Sequence, residues 1–269
     1  MYDERFQRLE VNGEPATLDD LRRLVVQNYG HFTSMQVRDG AVQGLDLHLA
    51  RLSEATRELF GHELDPDAVR GWMRRVAGDA GLLSLRVNVF ARGFDRDHPS
   101  KPALPDVLVG AAPARVASAP PLRVRGQRYD REAPHIKHVG TFGLFQQRRV
   151  AQQHGFDDAL FVTADGAISE GSVWNVGFFD GSHVVWPQAP MLRGISMQLL
   201  QDGLRRAGVP WVARRVERAE LAGFRSAFFT NSARAVQPIA CIDDVEFAVD
   251  ARLREALEAA LARHAWQPI

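Results

Sequence analysis

The chain has 269 residues, a length that predicts two domains. Its composition is 45% hydrophobic and 25% charged, which excludes collagen-like, disordered and coiled-coil classes. Basic and acidic residues number 33 each, so no net positive field attracts a phosphate backbone and no nucleic-acid partner is expected.

Cysteine usage and the absence of long apolar runs point to a cytoplasmic protein. The single Cys241 cannot form an internal disulfide, and a thiolate metal site needs more cysteines, so we expect a reducing compartment and no metal. The opening residues MYDERFQRLE carry charges with no apolar run behind them, and nowhere do about 18 apolar residues follow one another. We therefore expect no signal peptide, no membrane span and no membrane partner.

The first part of the chain predicts an α+β domain over residues 1–112. HFTSMQVRDGAVQGLDLHLARLSEATRELFG predicts a strand, an Asp-Gly turn, a short strand and a helix. A second helix is predicted over 67–80, then a strand in SLRVNVFARG and another over 106–111. In SLRVNVFARG, the residues Leu85, Val87, Val89 and Ala91 alternate with Arg86, Asn88 and Phe90. The Ala- and Pro-rich segment AAPARVASAPP has no strong period and predicts an interdomain linker over 113–122.

Residues 123–269 predict a C-terminal domain richer in strand. Its predicted strands are LRVRGQRY, DALFVTADG, AISEGSVWNVGFFDG, HVVWP, WVARRV, SAFFTNS and QPIACI. Its predicted helices cover 141–154, a segment starting after Gly194, a short one near 217–222, and the closing Ala-, Leu- and Glu-rich segment.

Lysine is rare in this chain, which contains 31 arginines and only Lys101 and Lys137. Lys101 lies in the proline-rich loop HPSKPALP, whereas Lys137 lies in APHIKHVGTF among apolar residues and glycine. Only an amine forms an imine, so Lys137 is the candidate for covalent chemistry, against the alternative of a surface lysine beside a turn.

Four further segments suit the binding of charged groups. Glu170 interrupts an apolar strand and needs a cation or donor opposite it, and Arg51 lies beside the apolar stripe of its helix; each also has a purely structural reading. Gly194, Ile195 and Ser196 open a helix whose N-terminal amides form a natural phosphate site, although an ordinary Ser-capped helix has the same sequence. TNSARAV offers a second turn of hydroxyl and amide donors.

Other catalytic patterns are missing from the sequence. It has no G-x-S-x-G elbow, no Walker loop, no G-x-G-x-x-G after a strand and no histidine pair at metal spacing beside a carboxylate. These gaps argue against a serine hydrolase, an NTPase and a zinc enzyme.

Five segments in order resemble the fold type IV pyridoxal-phosphate enzymes, which include branched-chain aminotransferase, D-amino acid aminotransferase and aminodeoxychorismate lyase. They are HLARL, IKHVGTF, EGSVWNVGFF starting 33 residues after the lysine, LRGIS and FFTNSARAVQPI, and the resemblance spans about residues 30–238. It implies a two-domain fold with a smaller α+β domain and a larger strand-rich domain containing a pseudo-barrel. It also implies pyridoxal 5′-phosphate (PLP) as cofactor and a homodimer.

The resemblance also implies roles for individual residues. Lys137 would form the internal aldimine and shuttle the proton at the substrate α-carbon, and Glu170 would keep the pyridine nitrogen protonated. Asn175 would orient the strand of the glutamate. The remaining cofactor-binding residues, mostly phosphate ligands, would be Arg51, Gly194, Ile195, Ser196, Asn231, Ser232 and Ala233.

The substrate signals conflict. Phe142 replaces the tyrosine that branched-chain enzymes place five residues after the lysine, although Gly140 matches their pattern. ARGFDRDHP resembles the D-amino acid enzyme, whose substrate carboxylate site would here be Arg96 and His98, whereas the TNSARAVQPI turn and Phe32 in FTS look more like the lyase. We predict transamination between a D- or branched-chain amino acid and a 2-oxo acid, with 4-amino-4-deoxychorismate lyase as the first alternative. A non-catalytic PLP-binding protein is the second.

Overall fold

The computed structural model describes residues 8–114 and 120–269. The strands are β1 (Arg8–Val11), β2 (Glu14–Pro15), β3 (His31–Arg38), β4 (Ala41–Gln43), β5 (Leu82–Phe90), β6 (Asp106–Pro113), β7 (Leu122–Arg128), β8 (Asp158–Val162), β9 (Ile168–Gly171), β10 (Asn175–Phe179), β11 (Val184–Pro187), β12 (Trp211–Arg214), β13 (Ser226–Asn231), β14 (Arg234–Ile242), β15 (Val245–Glu246) and β16 (Trp266–Pro268). The helices are α1 (Leu18–Gln27), α2 (Leu45–Phe60), α3 (Pro66–Ala77), α4 (Phe142–Gln153), α5 (Ile195–Arg206) and α6 (Ala251–Ala262), with a 3₁₀ helix over Arg218–Gly223.

The described residues form two compact units. The first contains the described residues up to 114 together with Ile136–Gly140 and Ala265–Ile269, and the second contains 120–135 and Thr141–His264. This division differs from the sequence-based one, which assigns everything after residue 122 to the C-terminal domain. The difference arises because β16 pairs with β4 and the 136–140 segment is hydrogen-bonded to β3. The central part of the predicted linker, 115–119, lies outside the described residues.

The first unit is a seven-stranded antiparallel sheet in the order β16-β4-β3-β5-β6-β1-β2. Leu85, Val87 and Val89 of β5 are fully buried and face the same core as Met35 and Val37 of β3. Helices α2 and α3 contribute the other side of this core. The alternation predicted for SLRVNVFARG is therefore confirmed, because one side of the strand packs against helices while Arg86 and Asn88 face the other way.

The second unit contains a closed barrel. Its strands run in the order β12-β11-β10-β13-β14-β7-β8-β9, and β9 also pairs with β10, so the six strands β10, β13, β14, β7, β8 and β9 form a ring. The closing pair is Asn175 opposite Glu170. Helices α5 and α6 pack over Trp186 and Phe228 outside this ring. The predicted α+β class with a barrel in the strand-rich domain is confirmed.

Most predicted elements are present, and the structure adds five further elements. The sequence analysis does not predict β1, β2, α1, β15 or β16. Helix α1 begins with a capping box in which the Thr17 hydroxyl accepts from the Asp20 amide at 3.2 Å and the Asp20 carboxylate accepts from the Thr17 amide at 2.9 Å. Within residues 8–114 and 120–269, no helix is long and apolar enough to cross a membrane.

Candidate active site

Lys137 is carried by a short segment that is hydrogen-bonded to the start of β3. The Phe32 amide donates to the Lys137 carbonyl oxygen at 2.8 Å, and the Val139 amide donates to the Gly30 carbonyl oxygen at 2.9 Å. Gly30 has a φ of +153°, and a Cβ there would collide with the carbonyl oxygen of Val89, so only glycine fits. These backbone bonds fix the main chain at Lys137 whatever side chain it carries.

A buried polar network lies between β3 and α2 in the same unit. The Thr33 hydroxyl is 2.6 Å from Nδ1 of His48 and also accepts from the Arg51 guanidinium. Nε2 of His31 is 3.0 Å from the Thr56 hydroxyl. His48 and Arg51 are three residues apart on α2 and therefore share one helix face. The network holds the Arg51 guanidinium in a defined position, as an anion ligand requires.

The positive charge of Arg51 acts on both buried histidines, His31 and His48. Burial, with a contribution from the Arg51 charge, lowers the pKa of His31 to about 3. Burial and the charges of Arg51 and Lys137 lower the pKa of His48 well below its usual range. Both rings are therefore neutral near pH 7, and Arg51 and Lys137 are the charged groups acting on His48, which makes this region suited to an anionic ligand.

The His31 ring should make stability pH-dependent. The pKa of His31 is about 3 in the folded protein against 6.5 for an ordinary histidine, so on acidification the unfolded chain takes up the proton first. The free energy of unfolding should therefore fall between about pH 6.5 and pH 3, by up to about 1.4 kcal/mol per pH unit for this ring. In urea titrations at several pH values, the free energy of unfolding of His31→Gln should decline less steeply with falling pH than that of the wild type. The partly exposed His62 supplies the control, His62→Gln, and an unchanged slope in His31→Gln would contradict the assignment.

Glu170 is buried on β9 at 4% exposure, as its place in an apolar strand predicts. Its Oε1 accepts from the Leu192 amide at 3.2 Å and lies 3.3 Å from a guanidinium nitrogen of Arg131. The Arg131 side chain is only 6% exposed. A guanidinium beside a buried carboxylate compensates its charge, so the cation that Glu170 was expected to require is Arg131.

Asn175 links the glutamate strand to the loop that opens α5. Its amide nitrogen donates to the Leu192 carbonyl oxygen at 2.8 Å, and its Oδ1 accepts from the Gly194 amide at 3.1 Å. A Cβ on Gly194 would collide with that same Oδ1, so the loop approaches Asn175 this closely only with glycine. Because Asn175 also pairs with Glu170 across β9 and β10, one side chain fixes the loop relative to the carboxylate.

Helix α5 begins at Ile195, as predicted from the glycine before it. Its first intrahelical bond is donated by the Gln198 amide to the Gly194 carbonyl oxygen at 3.1 Å. The amides of Ile195 and Ser196 therefore precede the hydrogen-bonded ladder and are available to an anion. Their predicted role as phosphate ligands stays a prediction with suitable local geometry.

The turn of residues 231–233 is ordered by its asparagine. Oδ1 of Asn231 accepts from the Ala233 amide at 3.0 Å and from the Arg234 amide at 2.8 Å. Its amide nitrogen donates to the Val173 carbonyl oxygen at 3.3 Å. The Ala233 amide, predicted with Ser232 to bind phosphate, is thus engaged by Asn231 in this structure. Asn231 itself shapes the turn.

The predicted carboxylate ligands Arg96 and His98 lie on an exposed loop of the first unit. Nδ1 of His98 is 2.9 Å from the Asp95 carboxylate, and Lys101 donates to the same carboxylate at 3.1 Å. Asp95 therefore organises this loop, and Lys101 forms a surface ion pair. In the second unit, Phe142 begins α4 and is 81% exposed.

Sequence reasoning missed a partly buried ion pair that supports the segment between Glu170 and Asn175. Arg148 of α4 lies 2.8 Å from Asp158 of β8, and its guanidinium donates to the Ser172 hydroxyl at 2.8 Å. Asp158 also accepts from Ser172 at 2.6 Å and from the Trp174 indole at 3.0 Å. Ser172 and Trp174 lie between Glu170 and Asn175 in sequence. An acidic residue opening the buried strand DALFV was the available signal.

Arg131 and Arg86 were also missed as site candidates. Arg131 precedes Lys137 by six residues but contacts Glu170, and a contact across 39 residues has no local sequence signature. The sequence pattern places Arg86 only on the side of β5 opposite Leu85, Val87 and Val89. In the structure its guanidinium carbon lies 3.6 Å from the centroid of the Phe32 ring, and the Lys137 amine lies 4.9 Å from the same centroid.

The sequence matches a known protein family. Residues 30–242 match the model of the family amino-transferase class IV. A bifunctional aminodeoxychorismate lyase / D-amino acid transaminase of Mycobacterium tuberculosis is 29% identical over 245 residues, which cover 80% of this chain and 81% of that protein.

Solved structures show the same fold. The fold IV-transaminase CpuTA1 from Curtobacterium pusillum superimposes with a TM-score of 0.76 at 26% identity, covering 89% of this chain and 86% of its own. The PLP-bound form of a hypothetical aminotransferase from Mycobacterium tuberculosis gives a TM-score of 0.78 at 22% identity, covering 95% of this chain and 99% of its own. The chain belongs to the class IV aminotransferase family.

Proposed function

We propose that this class IV aminotransferase is a PLP enzyme that transfers an amino group between an amino acid and a 2-oxo acid. The donor is a D- or branched-chain amino acid. The observation that carries the proposal is Lys137: one of only two lysines, it is fixed by backbone bonds to β3, and its charge acts on the same buried histidine as that of Arg51.

The residues present have the chemistry that PLP requires. Lys137 is an amine, and Arg51 is a guanidinium positioned through the Thr33 hydroxyl. Glu170 is a buried carboxylate, and the first turn of α5 has amides available to an anion. PLP has an aldehyde, a phosphate and a basic ring nitrogen. The amine can react with the aldehyde, the guanidinium and amide N–H groups can bind the phosphate, and the carboxylate can pair with the ring nitrogen. The donor set therefore fits PLP, the cofactor named for the solved Mycobacterium tuberculosis relative.

Each residue then has a distinct role. Bound PLP would supply an electron sink for the negative charge at the substrate α-carbon. Lys137 would hold the cofactor and would move the proton at the α-carbon. Glu170 would keep the ring nitrogen protonated. Asn175 would hold the strand of Glu170 and the loop before α5 in place. Arg51, the amides of Ile195 and Ser196, and Ser232 would bind the phosphate, while Asn231 shapes the turn that carries Ser232.

A panel of donors tests the proposal. The cofactor-loaded enzyme, mixed with single D-amino acids or with L-leucine, should form keto acid with stoichiometric conversion of PLP to its aminated form. Aminodeoxychorismate is the decisive alternative substrate, because one relative is named as both lyase and D-amino acid transaminase. Inert donors together with release of pyruvate and 4-aminobenzoate would replace transamination by the lyase reaction. No conversion in either assay would favour a non-catalytic PLP-binding protein.

We also propose that the enzyme is a homodimer. Phe142 is 81% exposed and Phe145 49% exposed on the first turn of α4, and exposed aromatic side chains of this size favour an interface. The occupant we expect is a second copy of the chain, as the resemblance implies. Light scattering of the cofactor-loaded enzyme should give twice the 29.9 kDa chain mass, and a mass near 29.9 kDa would contradict this.

A further inference from the structure

One face of the first unit's sheet places polar groups beside Lys137. Strands β3 and β5 are antiparallel neighbours in which Phe32 lies opposite Asn88 and Ser34 lies opposite Arg86. These four residues alternate with the core residues of their strands, so they occupy the face that α2 and α3 do not cover. Phe32 is nevertheless only 7% exposed, because other groups cover its ring.

Arg86 is a partly buried cation held in a fixed orientation. Its guanidinium stacks on Phe32 with 3.6 Å from its central carbon to the ring centroid, and its Nε donates to Oδ1 of Asn88 at 2.9 Å. Burial lowers the pKa of Arg86 to about 10, which leaves it charged at neutral pH. Among the residues that the structure describes, no carboxylate forms an ion pair with Arg86, so its charge lacks the usual compensation.

The Phe32 ring also contacts the reactive amine. The Lys137 amine lies 4.9 Å from the ring centroid, so both cationic groups are positioned by one side chain. An amino acid carries its amine and its carboxylate on the same carbon. A substrate whose amine reacts at the position of Lys137 therefore brings its carboxylate close to the Phe32 ring, on which the Arg86 guanidinium is stacked.

We propose that Arg86 binds the α-carboxylate of the amino and 2-oxo acid substrates and thereby selects acids over simple amines. The inference rests on the transamination proposed above. With Nε occupied by Asn88 and one guanidinium face against Phe32, the remaining N–H groups are oriented for a two-point contact with a carboxylate. Arg86 thereby takes the role of carboxylate ligand, which the resemblance to the D-amino acid enzyme gives to Arg96 and His98.

Paired donors test the assignment. Arg86→Met keeps the length of the side chain and removes its charge. The probes are alanine of the reactive enantiomer and isopropylamine, in which a methyl group replaces the carboxylate. For Arg86→Met we expect kcat/KM for alanine to fall about tenfold to a thousandfold, while the value for isopropylamine changes less than about threefold. Arg86→Lys, which keeps a charge without the planar fork, should recover part of the loss.

Two matched variants show whether the effect is specific. Arg38 lies on the same sheet and stacks on Trp266 at 4.9 Å, so Arg38→Met removes a stacked arginine without touching the proposed site. Arg38→Met should leave kcat/KM unchanged for both alanine and isopropylamine. Arg96→Met tests the loop. An alanine-specific loss in Arg96→Met but not in Arg86→Met would overturn the proposal, as would an equal loss for both donors in Arg86→Met.

Binding of a non-reacting acid separates this inference from the proposed reaction. Calorimetric titration of the cofactor-loaded wild-type enzyme with propionate should give a Kd that weakens about tenfold or more in Arg86→Met. If the wild type converts aminodeoxychorismate and no amino donor, transamination fails while the propionate titration still tests Arg86. Unchanged propionate affinity in Arg86→Met would overturn the assignment in either case.

Discussion

Replacing Lys137 by arginine should lower kcat for transamination by about 10⁴-fold or more while the protein remains folded. A guanidinium forms no imine with the cofactor and is a poor base near neutral pH, so attachment and proton transfer are lost together. The fold should persist because the backbone of Lys137 provides its hydrogen bonds to β3, and because arginine can replace lysine over the Phe32 ring.

The second lysine provides the matched control. Lys101 is exposed and pairs with Asp95, so Lys101→Arg should keep wild-type turnover. Borohydride treatment of the PLP-loaded wild type should fix the cofactor to the peptide that contains residue 137, and mass spectrometry locates the label. A label on Lys101, or substantial turnover by Lys137→Arg, would remove Lys137 from the reaction.

Replacing Glu170 by glutamine should leave the cofactor bound but slow removal of the α-proton about a hundredfold to a thousandfold. Glutamine keeps an oxygen for the Leu192 amide, so the local geometry is retained. It lacks the negative charge that keeps the ring nitrogen protonated, and the electron sink is weakened. Single-turnover spectra with an α-deuterated donor measure the step directly, and the isotope effect should be larger in the variant.

The same substitution leaves Arg131 without its charge partner on Glu170. Breaking a buried ion pair from one side costs about 3–5 kcal/mol, so a lower free energy of unfolding accompanies the slower reaction. Glu258→Gln is the control: Glu258 pairs with Arg254 at 2.7 Å on the exposed face of α6 of the same unit, and its loss should change neither quantity measurably. Wild-type rates of proton removal in Glu170→Gln would show that the carboxylate is only structural.

The sequence alone determined most of the elements and singled out the principal chemical groups. Alternation in SLRVNVFARG identified the core side of β5, and Gly194 marked the start of α5, because strand faces and helix ends depend on neighbouring residues. Composition singled out Lys137 as one of two lysines, and a polar break in an apolar strand singled out Glu170. Such features are readable because they involve residue type and short spacing only.

Tertiary structure decided which groups meet. The 136–140 segment joins the first unit's sheet through bonds to β3, and β16 returns to pair with β4. The contact of Arg131 with Glu170 and the stacking of Arg86 on Phe32 each join residues far apart in sequence. Strand register and barrel closure set these distances, and they follow from how whole sheets pack their side chains, which no local pattern encodes.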